Sequence, residues 1–114
     1  MGYDLADSNF KELLLWLLRL RRRFRVTGAS MFPLLKAGDE VLLDVRAYRQ
    51  GQPQIGDIVV ASHPMRAGVR IVKRVTAVHL DHSLQLKGDN PDESTDFDKV
   101  SVEHIIGRVT SRFG

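Results

Sequence analysis

Two periodicities divide this chain. Near its start, Phe10, Leu13, Leu14, Leu17, Leu20 and Phe24 recur at helical spacing, and Asn9 with Glu12 three residues on resembles a capping box. That pattern predicts an amphipathic helix over about residues 10–23. Beyond residue 25 the period shortens: runs at 40–45, 57–62, 69–78, 83–87 and 104–113 are rich in β-branched residues and punctuated by Gly and Pro, which predicts strands. The expected fold is mainly β, a β-barrel or coiled β-sheet domain with one N-terminal amphipathic helix. Residues 1–25 form the helix with its basic end and 26–114 the β body. Gly38-Asp39 and Gly56-Asp57 stand directly before strands and read as turns, while 46–54 and 90–99 read as polar loops.

Within 69–78 the alternation places Val69, Ile71, Lys73, Val75 and Ala77 on one face, and Arg70, Arg74 and Thr76 on the other. A lysine thus sits among apolar neighbours. Burial penalises its charged form and can lower its pKa from about 10.4 by up to roughly 3 to 5 units. A neutral amine is a general base, and a hydroxyl needs one to act as a nucleophile. Ser30, in Gly28-Ala29-Ser30-Met31-Phe32-Pro33, precedes Lys73 by 43 residues, and Gly88-Asp89-Asn90 follows. Singly, Ser30 and the Gly-Asp-Asn run could be turn residues and Lys73 a lysine whose stem lies on the core while its ammonium reaches water.

Composition narrows the chemistry. The 114 residues suffice for one domain with a modest core. With no cysteine, thiol catalysis and thiolate metal sites are excluded. Of the four histidines only His79 and His82 lie close in sequence, so no metal or other cofactor is expected. The net charge of +3 arises in residues 1–25, where six Lys/Arg face three Asp/Glu, whereas residues 26–114 carry eleven of each sign. That balance argues against a nucleic-acid partner. The apolar stretch at 13–18 is six residues long, far short of the roughly 20 that cross a bilayer, and its charges follow it, unlike those of a secretory signal. The helix either caps the β body or lies in a lipid interface with Trp16 and the leucines in lipid and the arginines at headgroups.

Taken together, these motifs resemble those of the type I signal peptidase family, and more closely its small relatives, the nickel-type superoxide dismutase maturation proteases. The likeness spans roughly residues 26–110. Ser30-Met31-Phe32-Pro33 with Gly38-Asp39 matches the nucleophile motif, Gly56-Asp57-Ile58-Val59-Val60 the next, Lys73-Arg74-Val75 the base motif, and Gly88-Asp89-Asn90 with Ser94 and Asp96 the last. The resemblance implies a signal-peptidase or repressor-protease-like β fold, Ser30 as nucleophile, Lys73 as general base and Ser94 as the group that orients the lysine. Met31, Pro33, Arg74, Gly88, Asp89, Asn90 and Asp96 then support the motifs.

Three departures qualify the match. Gly28 stands where many relatives carry a serine that helps hold the oxyanion, leaving that task mainly to the Ser30 backbone N–H. Pro91 replaces an arginine, and the long insertions between Lys73 and Gly88 are missing. These point from bulk processing of secreted proteins toward one dedicated substrate. The implied activity is a serine endopeptidase that removes the N-terminal propeptide of a nickel-type superoxide dismutase precursor in the cytoplasm, with peripheral membrane contact through the helix as a further option. The alternatives are a reduced-size, membrane-associated signal peptidase and a non-catalytic basic β-barrel binding module. A self-cleaving repressor protease is disfavoured because Ala37-Gly38 and Ala67-Gly68 follow Ser30. A Ser-His-Asp hydrolase is disfavoured because the second glycine of a nucleophile elbow is lacking.

Overall fold

The computed structural model describes residues 5–113. One helix, α1 (Phe10–Leu17), precedes seven strands: β1 (Arg22–Arg25), β2 (Glu40–Asp44), β3 (Ile58–Ser62), β4 (Arg70–Val78), β5 (Leu84–Lys87), β6 (Phe97–Val100) and β7 (Ile105–Phe113). They form a single sheet in the order β1-β2-β7-β3-β4-β5-β6, with every neighbouring pair antiparallel. The mainly-β architecture with one leading helix is the one the sequence predicts.

Strict alternation gives the central strands two apolar faces. Val41 and Leu43 of β2, Ile58 and Val60 of β3, Val72 of β4 and Val109 of β7 join Leu5, Val26, Met31 and Leu35 in one cluster. Val59 and Ala61 of β3, Val75 of β4, Leu84 and Leu86 of β5 and Val100 of β6 form the other, with Tyr48 and Phe97 packed over it. The register Val59↔Lys73 and Val60↔Val72 sets Lys73 on the second face and Val72 on the first. At about 25 cal/mol per Å² of apolar surface removed from water, these clusters are the main source of cohesion.

Three predicted elements differ from what is observed. The helix stops at Leu17, and Arg19 takes a left-handed conformation (φ 63°) that turns the chain back, so that 22–25 pair with β2 as strand β1. Strand pairing outweighs the helical spacing of Leu20 and Phe24. The 90–99 segment is not wholly loop: a 3-10 turn, Pro91–Glu93, leads into β6, which pairs with β5. The capping box is half formed. Asn9 Oδ1 accepts from the Glu12 N–H at 2.9 Å, but the Glu12 carboxylate turns toward the sheet instead of back to Asn9.

Candidate active site

Ser30 opens a helical turn between β1 and β2, anchored by Met31 and Leu35, both fully buried in the first cluster. Its hydroxyl lies beside the edge of β4 and donates to the Val72 carbonyl at 3.5 Å. That edge is open for a definite reason. β5 pairs with β4 only from Arg74 onward, leaving 70–73 uncovered on that side. Val69 and Val75 direct their backbone groups toward β3, through the bonds His63 N–H to Val69 O and Val75 N–H to Asp57 O. By alternation Arg70 and Val72 present theirs to the open edge.

Lys73 is 4% exposed, and Val59 and Val75 beside it on the same face are buried. Burial pushes its pKa below the ordinary lysine value, and the Asp96 carboxylate pulls partly the other way. Its ammonium nitrogen reaches one hydroxyl, Ser94 Oγ, at 2.9 Å. Ser94 Oγ also accepts from the Gly88 N–H at 3.0 Å and donates to Asp96 Oδ1 at 3.0 Å, with the Thr95 carbonyl at 3.5 Å. A hydroxyl has one proton. With that proton on Asp96, Ser94 receives a hydrogen from Lys73 and leaves the amine's lone pair uncommitted.

Two contacts lock the Ser30 turn to the segment after β5. The Asn90 N–H donates to the Ser30 carbonyl at 2.8 Å, and Asn90 Nδ2 to the Ala29 carbonyl at 3.0 Å. Gly88 lies in the angle between them: a Cβ there would stand 2.3 Å from Ser94 Oγ and 2.5 Å from the Ser30 carbonyl oxygen. Only glycine fits. Arg74, on the face of β4 opposite Lys73, holds Asp89 by two bonds of 2.8 Å and donates to the Gly56 carbonyl at 3.0 Å, tying the Gly-Asp-Asn run to the turn before β3.

The predicted residues therefore converge at the end of β4. Ser30, Lys73, Ser94, Gly88, Asn90 and Asp96 form a connected set, with Arg74 and Asp89 as its outer brace. Met31 is a core anchor, and Pro33, exposed after a cis Phe32–Pro33 peptide, stands in the same turn. Ser30 Oγ and Lys73 Nζ are each hydrogen-bonded, but to Val72 and Ser94 and not to one another. Catalytic pairs are often long before substrate binds. The Ser30 N–H makes no hydrogen bond among the described residues and is free to meet an oxyanion. Gly28 has φ +77°, a conformation that a serine adopts only with strain, which accounts for glycine at that position. The Val72 and Gly56 carbonyls, being backbone groups, carried no residue-type signal in the sequence. Among the described residues no three His, Asp or Glu side chains gather as a metal site.

This arrangement, a hydroxyl and a desolvated amine at the open end of a β-strand, has the makings of a serine hydrolase. The chain belongs to the signal peptidase family, peptidase S26, whose pattern matches residues 13–82, more than half of its length. Both Ser30 and Lys73 fall inside that match. Gly88, Asp89, Asn90, Ser94 and Asp96 lie beyond it and join the site through the contacts above. Signal peptidase I of Aquifex aeolicus (strain VF5) is 29% identical over 58 residues, which are 51% of this chain and 23% of the relative. The match thus spans less than a quarter of that relative's length. No solved structure matches the chain. Among the described residues no helix is long and apolar enough to cross a membrane.

Proposed function

We propose that this chain is a serine endopeptidase with a Ser30–Lys73 dyad. The observation that carries the reading is the environment of Lys73: buried, with a lowered pKa, and hydrogen-bonded to a hydroxyl that can only accept from it. In the reaction, Lys73 Nζ takes the Ser30 proton as Oγ bonds to the scissile carbonyl carbon. The ammonium returns that proton to the leaving amine as the C–N bond breaks. Lys73 then deprotonates a water that hydrolyses the Ser30 ester.

An extended substrate segment adds to the open edge of β4, pairing with the backbone of Arg70 and Val72, and so delivers its carbonyl to Ser30. The developing oxyanion meets the Ser30 N–H. A single such donor is worth about 2.7 to 4 kcal/mol, so turnover is modest unless the substrate brings another.

For substrate, the reading follows the resemblance to the maturation proteases: the N-terminal propeptide of a nickel-type superoxide dismutase precursor. The β4–β5 hairpin closes tightly, with His82 at φ 69°, so no inserted segment stands between Lys73 and Gly88. Incubating purified wild type and Ser30→Ala with that precursor, and locating new N-termini by intact-mass spectrometry, tests it. Cleavage by wild type alone is the expected result. If signal-peptide substrates are cut and the precursor is not, the dyad stands and the substrate falls. The rate should rise with pH through one apparent pKa below about 10.4, and a flat profile from about pH 6 to 10 would refute a lysine base.

A further inference from the structure

Helix α1 docks through Glu12 and Trp16, and not through its leucine-rich side. Glu12 faces the sheet, its side chain 13% exposed, accepting from Thr110 Oγ1, from Ser111 Oγ at 3.1 Å and from Arg21 Nε at 3.2 Å. Four residues on, Trp16 packs edge-on against Phe113 with ring centres 4.8 Å apart. At 100° per residue the opposite side of the helix carries Phe10, Leu14 and Leu17, flanked by Leu13 and Leu18. These point outward: Phe10 is 80% exposed, Leu17 70% and Leu18 60%. The usual amphipathic arrangement is inverted, since no residue of α1 is fully buried.

Charge decides what covers that face. Arg21, Arg23 and Arg25 are engaged by Glu12, Asp44 and Glu40. The side chains of Lys11, on the helix, and Arg19, just after it, are exposed and make no ion pair or hydrogen bond among the described residues. An apolar strip bordered by unpaired cations complements a surface that is apolar within and anionic at its rim. A second copy of this chain, paired face to face about a two-fold axis, would instead bring these cations against their like.

We propose that α1 is a lipid-surface anchor, lying in the plane of an anionic membrane with Phe10, Leu13, Leu14, Leu17 and Leu18 in the acyl boundary and Lys11 and Arg19 at the phosphates. Trp16, unlike the leucines, stays with the protein. The proposal is independent of the peptidase chemistry, so Ser30→Ala should bind membranes like wild type.

The test is co-sedimentation of the whole chain with vesicles of phosphatidylcholine, with and without phosphatidylglycerol. Wild type should bind the phosphatidylglycerol vesicles and lose affinity as salt rises, with Lys11→Glu/Arg19→Glu weakening binding by roughly fivefold or more per charge. Leu17→Gln/Leu18→Gln should bind at least about tenfold more weakly with an unchanged melting temperature, because both side chains already face solvent. Absence of wild-type binding, or equal binding by the leucine variant, overturns the proposal. So does a wild-type dimer in lipid-free buffer that the leucine variant converts to monomer, which would make a second copy the occupant.

Discussion

Lys73 and Glu12 are two ionisable groups turned toward the sheet, and they are treated oppositely. Glu12 meets an arginine and two hydroxyls. Among the described residues Lys73 hydrogen-bonds the Ser94 hydroxyl alone, with the Asp96 carboxylate one step further on. The first surrounds its group with hydrogen-bond partners, which suits a structural peg. The second disfavours the charge, which suits a base. The neighbour of Lys73 sharpens the contrast: Arg74, one residue along and on the opposite face, holds Asp89 in a two-bond fork. One strand thus keeps one cation paired and strips another.

The largest test of that contrast is Lys73→Arg. Guanidinium stays protonated at any working pH, so turnover should fall by about 10³-fold or more while far-ultraviolet circular dichroism is retained. Wild-type turnover would show that Lys73 is no base. Next comes Gly88→Ala, whose Cβ would strike both Ser94 and the Ser30 carbonyl. Displacing the two segments by about 1 Å should cost on the order of 10²-fold in turnover, and overpacking about 1 to 3 kcal/mol in a denaturant titration.

Glu12→Ala probes the other side of the comparison. It leaves Thr110, Ser111 and Arg21 without their shared acceptor and should destabilise the fold by about 1 to 3 kcal/mol with turnover unchanged. A loss of turnover without loss of stability would mean that the two regions are coupled. The smallest effect is expected of Lys73→Met. Because the folded-state pKa is lowered, the unfolded chain holds the extra proton between the two pKa values, and native stability rises with pH there. Removing the amine should therefore raise the unfolding free energy at neutral pH, by about 1.4 kcal/mol for each pKa unit by which burial lowers the lysine, and the gain should vanish as pH passes about 10.4. A variant no more stable than wild type at pH 7 would contradict the desolvated amine.

Much of this was legible in the residues. Alternation in β4 placed Lys73 on an apolar face, and the ordered motifs named Ser30, Ser94 and the Gly-Asp-Asn run. The edge strands were not legible. β1, Arg-Arg-Phe-Arg, and β6, Phe-Asp-Lys-Val, are charged and short because exposed edges avoid apolar side chains, so their strand character comes from pairing with β2 and β5. The end of α1 was hidden because arginine is a good helix former, and nothing local announces the left-handed Arg19. Nor did periodicity reveal which side of the helix would dock, since it locates an apolar stripe without saying what that stripe meets.

The bond from the Asn90 N–H to the Ser30 carbonyl bears on when this chain could become dangerous. A ribosome that has made β1 through β4 has already released Ser30 and Lys73, yet neither Ser94 nor the clamp of Asn90 exists until the last third of the chain emerges. Until then Lys73 lacks the Ser94 contact that the folded site gives it. On the mechanism proposed above, a centre that forms only when late residues close over early ones stays inactive while the chain is being made.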